Sequence, residues 1–349
     1  MSFLRNSWYV AAWDHEVTRG KMMRRTLLGE PVVLYRDEAG VPLALADRCC
    51  HRHAPLSKGM LFGDVVECPY HGFRYDRTGK CIAIPGQDSV PDSAFVRAYP
   101  MVERYRWLWI WMGDPALANP DLIEDFHWMD DPDWRHAGER LELKANYVFL
   151  IENLLDLSHL SYVHRTTLGT HKVAETPMDF EEFERGVRVT RWIFDHPAPP
   201  FFQKAGNFGV EEPMDRWQII DWTSPSFVRL DVGCARAGTG APEGDRSQGI
   251  SLRNMNAITP ETETETHYFW ATARNFKLED RWMTDLVYDN VHAAFLEDLD
   301  ILQAQQENFE TAPEASRINM RHDAGGIAAR RKLEALIADE QAMLRSAAE

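Results

Sequence analysis

The stretch DRCCHRHAPLSKGMLFGDVVECPYHGF, residues 47–73, carries the cysteines Cys49, Cys50 and Cys68 and the histidines His51, His53 and His71 in less than a tenth of the chain. Cys49 and His51 form a Cys-x-His pair, Cys68 and His71 a Cys-x-x-His pair, and 16 residues separate the two. Two thiolates and two imidazoles suit a tetrahedral zinc ion. They equally suit a two-iron, two-sulfur cluster with two cysteines on one iron and two histidines on the other. Each pair is followed by turn chemistry, HAPLSKG (53–59) and HGF (71–73), and lies between strand-like runs. Two loop tips can therefore clasp one centre from two sides.

Outward from this stretch, residues 1 to about 115 read as strands broken by turns: EPVVLYRDEAGVPLALAD (30–47) as a hairpin turning at RDEAG, GFRYDRTGKCIAIPG (72–86), and WLWIWMGDP (107–115). The alternation around Trp107, Trp109 and Trp111 predicts a strand that buries one face heavily. GDPALANPDL (113–122) reads as a linker. Beyond it strands mix with helices. NYVFLIENLLDLSHLSYVH (146–164) predicts a helix, DRWQIIDWTSPSFVRLDVG (215–233) and ETHYFWATARNF (265–276) predict strands, and helices follow at about 279–309 and 328–345. The expected fold is α+β: an all-β domain over 1–115, then a domain over 116–349 with an antiparallel sheet and helices.

Acidic residues outnumber basic ones by 54 to 38 among 349 residues, a net charge of −16. That balance speaks against nucleic acid or an anionic membrane as the main partner. The start, MSFLRNSWYVAAWDHEV, lacks the pattern of a signal peptide, and no run reaches the ~18 uncharged apolar residues that would span a bilayer. A cytoplasmic location is expected. Five cysteines, three of them clustered, do not resemble a secreted disulfide framework.

A second constellation lies in the segment 146–164. Asn153, Asp156 and His159 recur every three residues along one side of a predicted helix that is otherwise lined by Leu150, Leu154, Leu157 and Leu160. His164 sits about 140° round from His159 on an ideal helix, so the helix must distort or end for both to reach one ion. Polar groups on an apolar helix cost energy unless they are paired or bound to metal. The late helix offers Glu297, Asp298 and Asp300; Asp298 falls between Phe295 and Leu302 on the apolar side, whereas Glu297 and Asp300 lie towards the solvated flank. Two histidines and one carboxylate make a facial triad with open positions, suited to non-heme Fe(II).

CCHRHAPLSKG (49–59) together with CPYHGFRYDRTGKC (68–81) resembles the Rieske domain of bacterial aromatic-ring and O-demethylating oxygenases, and DLSHLSYVH (156–164) resembles their iron-binding motif. The likeness runs from RNSWYVAAW (5–13) to the final helices and points to the vanillate O-demethylase, dicamba O-demethylase and toluenesulfonate methyl-monooxygenase group. It implies a [2Fe-2S] Rieske cluster on Cys49, His51, Cys68 and His71. It implies a mononuclear Fe(II) on His159, His164 and Asp298, with Asn153 shaping the site without ligating. Ala54 and Tyr70 stand where respiratory Rieske proteins carry a bracing disulfide, so the site resembles the low-potential type. Asp156 is implied to hydrogen-bond His159 and to meet His71 of the neighbouring chain in a homotrimer, which gives electrons a short path between subunits.

The implied activity is that of a terminal monooxygenase for a small methoxylated aromatic acid, removing its O-methyl group. O2 is the co-substrate, and a flavin and iron–sulfur reductase or a ferredoxin supplies electrons; no Rossmann element is present, so NAD(P)H acts only through that partner. Hydroxylation of an aryl methyl group or of the ring is the alternative within enzymes. A Rieske electron carrier without its own oxygenase site is the alternative outside them.

Cys50 occupies the x position between two ligands, where the family commonly has Pro, and is expected to be a small buried thiol; His53 is expected to be a loop-stabilising or surface residue. GTGAPEG (238–244) has neither nucleotide-loop spacing nor a following helix and reads as a surface loop. Arg253 and Asn256 are expected to face the pocket and meet a substrate carboxylate or sulfonate. His171, His196, His267 and His292 have no partner at ligand spacing.

Overall fold

A computed structural model describes residues 3–164 and 171–348. The chain divides into one unit of residues 1–123 with 259–263, and a second of residues 124–258 with 264–349. The boundary falls at Ile123 and not at 115. Trp8 Nε1 donates to the Asn119 carbonyl at 2.8 Å and Arg104 Nη1 to the Pro120 carbonyl at 3.0 Å. These bonds hold the expected linker, with its two short 3-10 turns, on the first unit.

The first unit is built from β1 (Trp8–Trp13), β2 (Met23–Leu27), β3 (Glu30–Arg36), β4 (Pro42–Ala46), β5 (Met60–Phe62) and β6 (Val65–Glu67). It continues with β7 (Arg74–Tyr75), β8 (Cys81–Ala83), β9 (Ala98–Tyr99), β10 (Met101–Arg104) and β11 (Trp107–Trp111). They form sheets of order β1-β11-β10, β2-β3-β4-β9 and β5-β6-β7-β8. β3 explains how two cores arise from one strand. Its side chains alternate, so Val32 and Leu34 enter a core with Tyr9, Leu108 and Ile110, while Val33 and Tyr35 enter a second core with Cys49, Cys68 and Tyr75. The run VVLY is continuously apolar because both of its faces are covered. β11 is likewise buried on both faces and not on one as expected: Leu108 and Ile110 fill the first core, and Trp107, Trp109 and Trp111 are fully buried on the other side.

The second unit contains β12 (Arg135–Leu143), α1 (Tyr147–Leu155), α2 (His171–Glu175), β13 (Asp179–Phe183), β14 (Gly186–Pro197) and α3 (Pro200–Gly206). After these come β15 (Pro213–Thr223), β16 (Phe227–Arg236), β17 (Gly249–Pro260, whose last two residues are counted with the first unit), β18 (Thr266–Arg274), α4 (Arg281–Thr311) and α5 (Ala324–Ala348). Its seven strands pair in the order β12-β18-β17-β16-β15-β14-β13, with β12 antiparallel to β18 and each strand from β13 to β17 antiparallel to the next.

The expected helix over 146–164 is two elements. Asn146 caps α1 by accepting from Val148 N at 2.9 Å, and α1 ends at Leu155. Asp156 leaves the helical region (φ −113°, ψ 94°), and its carboxylate caps a 3-10 turn over Leu157–Ser161 by accepting from Ser158 N at 2.8 Å. Asp is a strong cap former, worth about 1 kcal/mol at such a position, so a residue placed to start a turn also stops the helix before it. His159 and His164 therefore escape the 140° separation of a continuous helix. No helix among the described residues is long and apolar enough to cross a membrane.

Candidate metal centres and active site

The loops that carry Cys49 and Cys68 have the same backbone wiring. Cys49 N donates to Ala54 O and His53 N to Cys49 O, both at 2.9 Å; Cys68 N donates to Phe73 O at 2.8 Å and Gly72 N to Cys68 O at 3.1 Å. In each loop the residue four past the cysteine takes a left-handed conformation, His53 at φ 58° and Gly72 at φ 71°. His53, which is exposed, is thus the positional counterpart of a glycine. Both thiols are buried, whereas His51 and His71 are exposed with ring centroids 4.7 Å apart. His51 stacks on Phe73 at 5.1 Å and Tyr70 tilts over His71 at 4.0 Å.

Among the described residues only His159, His164 and Asp298 bring three ligand atoms within 4.8 Å of one another. In the two loops the Cys49 and Cys68 thiols are close enough to hydrogen-bond each other and the His51 and His71 rings lie 4.7 Å apart, so the donors fall into a thiol pair and an imidazole pair, the donor set of a two-iron, two-sulfur cluster. Tyr75 Oη lies 3.0 Å from Cys49 Sγ and 3.2 Å from Cys50 Sγ, and accepts from Cys50 N at 3.3 Å. Burial, reinforced by these thiols, pushes the Tyr75 phenol well above its ordinary pKa, so it stays a donor. Cys50 is half-buried and not buried as expected. Serine can take over its contact with Tyr75, so Cys50→Ser should retain the visible absorption and the reduced-state paramagnetic signal of the cluster. Loss of that spectrum in a folded variant would reassign Cys50 as a ligand.

In the second unit, His159 Nδ1 donates to the Asp156 carbonyl at 2.5 Å and His164 Nδ1 donates to Glu297 Oε2 at 2.6 Å. Because a carbonyl or an ionised carboxylate oxygen only accepts, these bonds fix the tautomers and turn both Nε2 atoms inward. The His159 and His164 Nε2 atoms stand 3.3 Å and 3.1 Å from the same Asp298 Oδ1. Asn153 Nδ2 donates to that oxygen at 3.1 Å. Burial would raise the Asp298 carboxyl, but hydrogen bonds and charge from the two histidines outweigh it and hold the group down at about 2. Burial would likewise lower His164, yet Asp298 and Glu297 raise it. Two imidazole lone pairs and a carboxylate oxygen converge on one point, and a divalent cation satisfies all three without a proton. The N, N, O donor set is that of a facial triad.

This geometry changes three expectations. The Asp156 side chain does not bond His159; its carboxylate is engaged by the 3-10 cap, and its backbone carbonyl holds the ring. Glu297 lies on the solvated flank as expected, its side chain 36% exposed, but it also reaches His164 Nδ1 while Asp298 meets Nε2. Adjacent positions on one helix thereby grip both nitrogens of one ring. Arg253 and Asn256 do not line the cavity beside this group. Arg253 pairs with Asp231 on β16 and lies over Trp128 and Trp134 at 5.4 and 5.5 Å, on the opposite sheet face from the cavity. Asn256 is fully buried and engaged, donating to Val228 O at 2.9 Å and accepting from Tyr268 Oη at 2.7 Å.

The cavity encloses ≈ 70 Å³ against His159, His164 and Asp298. Its helix side includes Leu154, Leu160 and Phe295, and α3 adds Phe201 and Phe202. Its sheet wall follows from register: Gln218 pairs with Val232 and Val232 with Leu252, while Arg216 pairs with Cys234 and Leu230 with Asn254. Even-numbered positions on β15, β16 and β17 face inward and odd ones face outward. The sheet therefore contributes Arg216, Gln218 and Asn254 as polar groups in an otherwise apolar lining. The sequence reading passed over all three; the alternation in DRWQIID was the available signal.

A Rieske [2Fe-2S] domain model matches residues 7–100, and the vanillate O-demethylase oxygenase C-terminal domain model matches residues 143–339. The chain is 44% identical over 327 residues to the toluene-4-sulfonate monooxygenase system iron-sulfur subunit of Comamonas testosteroni, covering 93% of this chain and 94% of that one. It is 36% identical over 342 residues to the vanillate O-demethylase oxygenase subunit of a Pseudomonas species, covering 97% and 96%. The crystal structure of dicamba monooxygenase bound to 3,6-dichlorosalicylic acid superposes with a TM-score of 0.92 at 33% identity, covering 98% of this chain and 100% of that one. The protein is thus an oxidoreductase of the monooxygenase type, with a [2Fe-2S] cluster and a mononuclear iron as its cofactors. The chain belongs to the Rieske non-heme iron oxygenases, as an oxygenase component of the vanillate O-demethylase type.

Proposed function

We propose that the chain oxidises the methyl carbon of a small methoxylated aromatic acid, releasing the phenol and formaldehyde. The carrying observation is the small, mainly apolar cavity that abuts His159, His164 and Asp298. In this reading His159, His164 and Asp298 hold the mononuclear iron, Cys49, His51, Cys68 and His71 hold the cluster, and Asn153 orients the Asp298 carboxylate. When bound, the two iron centres supply single-electron delivery and O2 activation, which no side chain can provide. The chain's own residues do the rest. His159 and His164 are kept in one tautomer by Asp156 and Glu297, and Leu154, Leu160 and Phe295 exclude water and press a flat ring against the site.

The reaction balances as one aryl methyl ether, one O2, two electrons and two protons giving phenol, formaldehyde and water. The electrons come from a separate reductase or ferredoxin, which the relatives' names as components and subunits support. A cytoplasmic homotrimer serving aromatic catabolism is part of the same reading, with His71 of one chain meeting Asp156 of the next. Oxidation of an aryl methyl group to the benzylic alcohol is the second reading, favoured by the relative named for toluene-4-sulfonate. Turnover of 3-methoxybenzoate and of 4-methylbenzenesulfonate with a compatible reductase separates them. Formaldehyde in step with oxygen uptake is expected from the first. Benzylic alcohol from the second probe, with no formaldehyde from the first, would replace demethylation by methyl hydroxylation.

A further inference from the structure

Arg216 is a buried cation with nothing to neutralise it. It is 6% exposed, its Nε and Nη1 have no hydrogen-bond partner, and no ion pair involves it among the described residues. Its neighbours are the Phe202 ring at 5.4 Å, the Cys234 thiol and a second cation, Arg191. Burial lifts the Cys234 thiol to about 12, so it is neutral and supplies no counter-charge. Burial lowers Arg216 itself only to about 10, and it remains charged at neutral pH.

Arg191 shows what a satisfied arginine looks like on the same strand system. It donates to Thr176 O, Gln218 Oε1 and Ser158 Oγ at 2.8–3.1 Å. Arg216 makes none of these bonds and instead faces the cavity next to the iron-binding group. An uncompensated buried charge is destabilising, and leaving guanidinium N–H groups unpaired adds to that cost. Such a residue persists where a ligand brings the missing charge. A planar carboxylate, or two oxygens of a sulfonate, matches the guanidinium fork.

We propose that Arg216 is the anion seat of the substrate cavity and selects aryl carboxylates or sulfonates over their neutral counterparts. The proposal rests on the cavity being the substrate site, as argued under Proposed function. Arg216 lies on the sheet wall, whereas His159, His164 and Asp298 come from the helical segments. An acid group held by Arg216 therefore leaves the remaining ring in the apolar part of the cavity, where the methyl carbon can reach the iron side. Asn254 sits on the row of Leu230, four residues along the ladder from the row of Arg216 and Cys234. That offset is about 13 Å along the strand, too far for one small anion to use both. Arg216 alone carries the charge recognition.

The test is calorimetric titration of the iron-loaded enzyme, without reductant, so that product formation does not enter the result. The probes are 3-methoxybenzoate and 4-methylbenzenesulfonate, each against its neutral amide, 3-methoxybenzamide and 4-methylbenzenesulfonamide. The wild type should bind one anion about 50-fold or more tighter than its amide, and the anion preferred tells carboxylate from sulfonate. Arg216→Gln should lose that advantage while binding the amide within about threefold of wild type, and Arg216→Lys should restore part of it. Because the cation is unpaired in the free enzyme, Arg216→Met should leave the ligand-free melting temperature unchanged or raise it, an effect a merely structural arginine would not give. The proposal is overturned if neither anion outbinds its amide or if the Gln variant keeps its anion affinity. It is equally overturned if anion and amide weaken together, or if the Met variant melts lower.

Discussion

Replacing Asp298 with Ala should take the iron content from about three to about two per chain and lower coupled oxygen uptake by about a thousandfold, with the cluster spectrum unchanged. The argument is geometric. Among the described residues Asp298 supplies the only carboxylate oxygen that both inward nitrogens share, at 3.3 and 3.1 Å. Glu297 cannot replace it, because its carboxylate sits on the outer nitrogen of His164. With the carboxylate gone, only the two imidazoles remain, at a ring separation of 5.2 Å. Two nitrogen ligands alone hold Fe(II) weakly. The cluster residues lie in the other unit of the chain and take no part in this loss. Iron analysis beside the visible spectrum therefore separates a vacant mononuclear site from general unfolding. Three irons per chain in the Ala variant would mean that another group completes the site. Two irons in the wild type would support the electron-carrier alternative.

How much of this was legible beforehand depended on how local the information is. Metal ligand sets are written in short spacings, and both sets could be proposed because Cys49 to His51, Cys68 to His71 and His159 to His164 each lie within one turn or loop. The break at Asp156 was only half legible. The apolar run continues through Leu157 and Leu160, and nothing in the pattern reveals that the Asp156 carboxylate will cap a new turn and not a helix face. Arg253 and Arg216 show the harder case. Each sits on a strand, and each is a plausible anion contact by composition. Only the pairing of β15, β16 and β17 tells that even positions share the sheet face on which the cavity lies and odd ones take the other face. Charge on a strand cannot be assigned to a face until its neighbours are known, because a one-residue change of register reverses every side chain. The same holds for β3 and β11, whose unbroken apolar runs say that both faces are covered but not by what.

Asp156→Asn is expected to leave both metal centres loaded and the melting temperature unchanged, yet to slow oxidation of the reduced cluster by about a hundredfold. The substitution is discriminating because the residue has separable duties. Its backbone carbonyl orients His159, and its Oδ1 caps the Leu157–Ser161 turn; asparagine keeps the first and performs the second well. What it removes is the negative charge, whose Oδ2 makes no hydrogen bond among the described residues and which borders an open cleft with Arg317 and Arg330. If that carboxylate receives His71 of the next chain in a homotrimer, the electron path enters through the side chain and leaves through the carbonyl of one residue. Mixed assemblies test the direction of the path. A chain carrying Asp156→Asn keeps its cluster but cannot receive, and a chain carrying Cys68→Ser can receive but has no cluster. Random trimers of the two place a donor before a receiver at about one junction in four, so activity should return to about a quarter of wild type. If transfer ran within a single chain, the mixture would stay as inactive as its parents, and the inter-subunit route through Asp156 would fall.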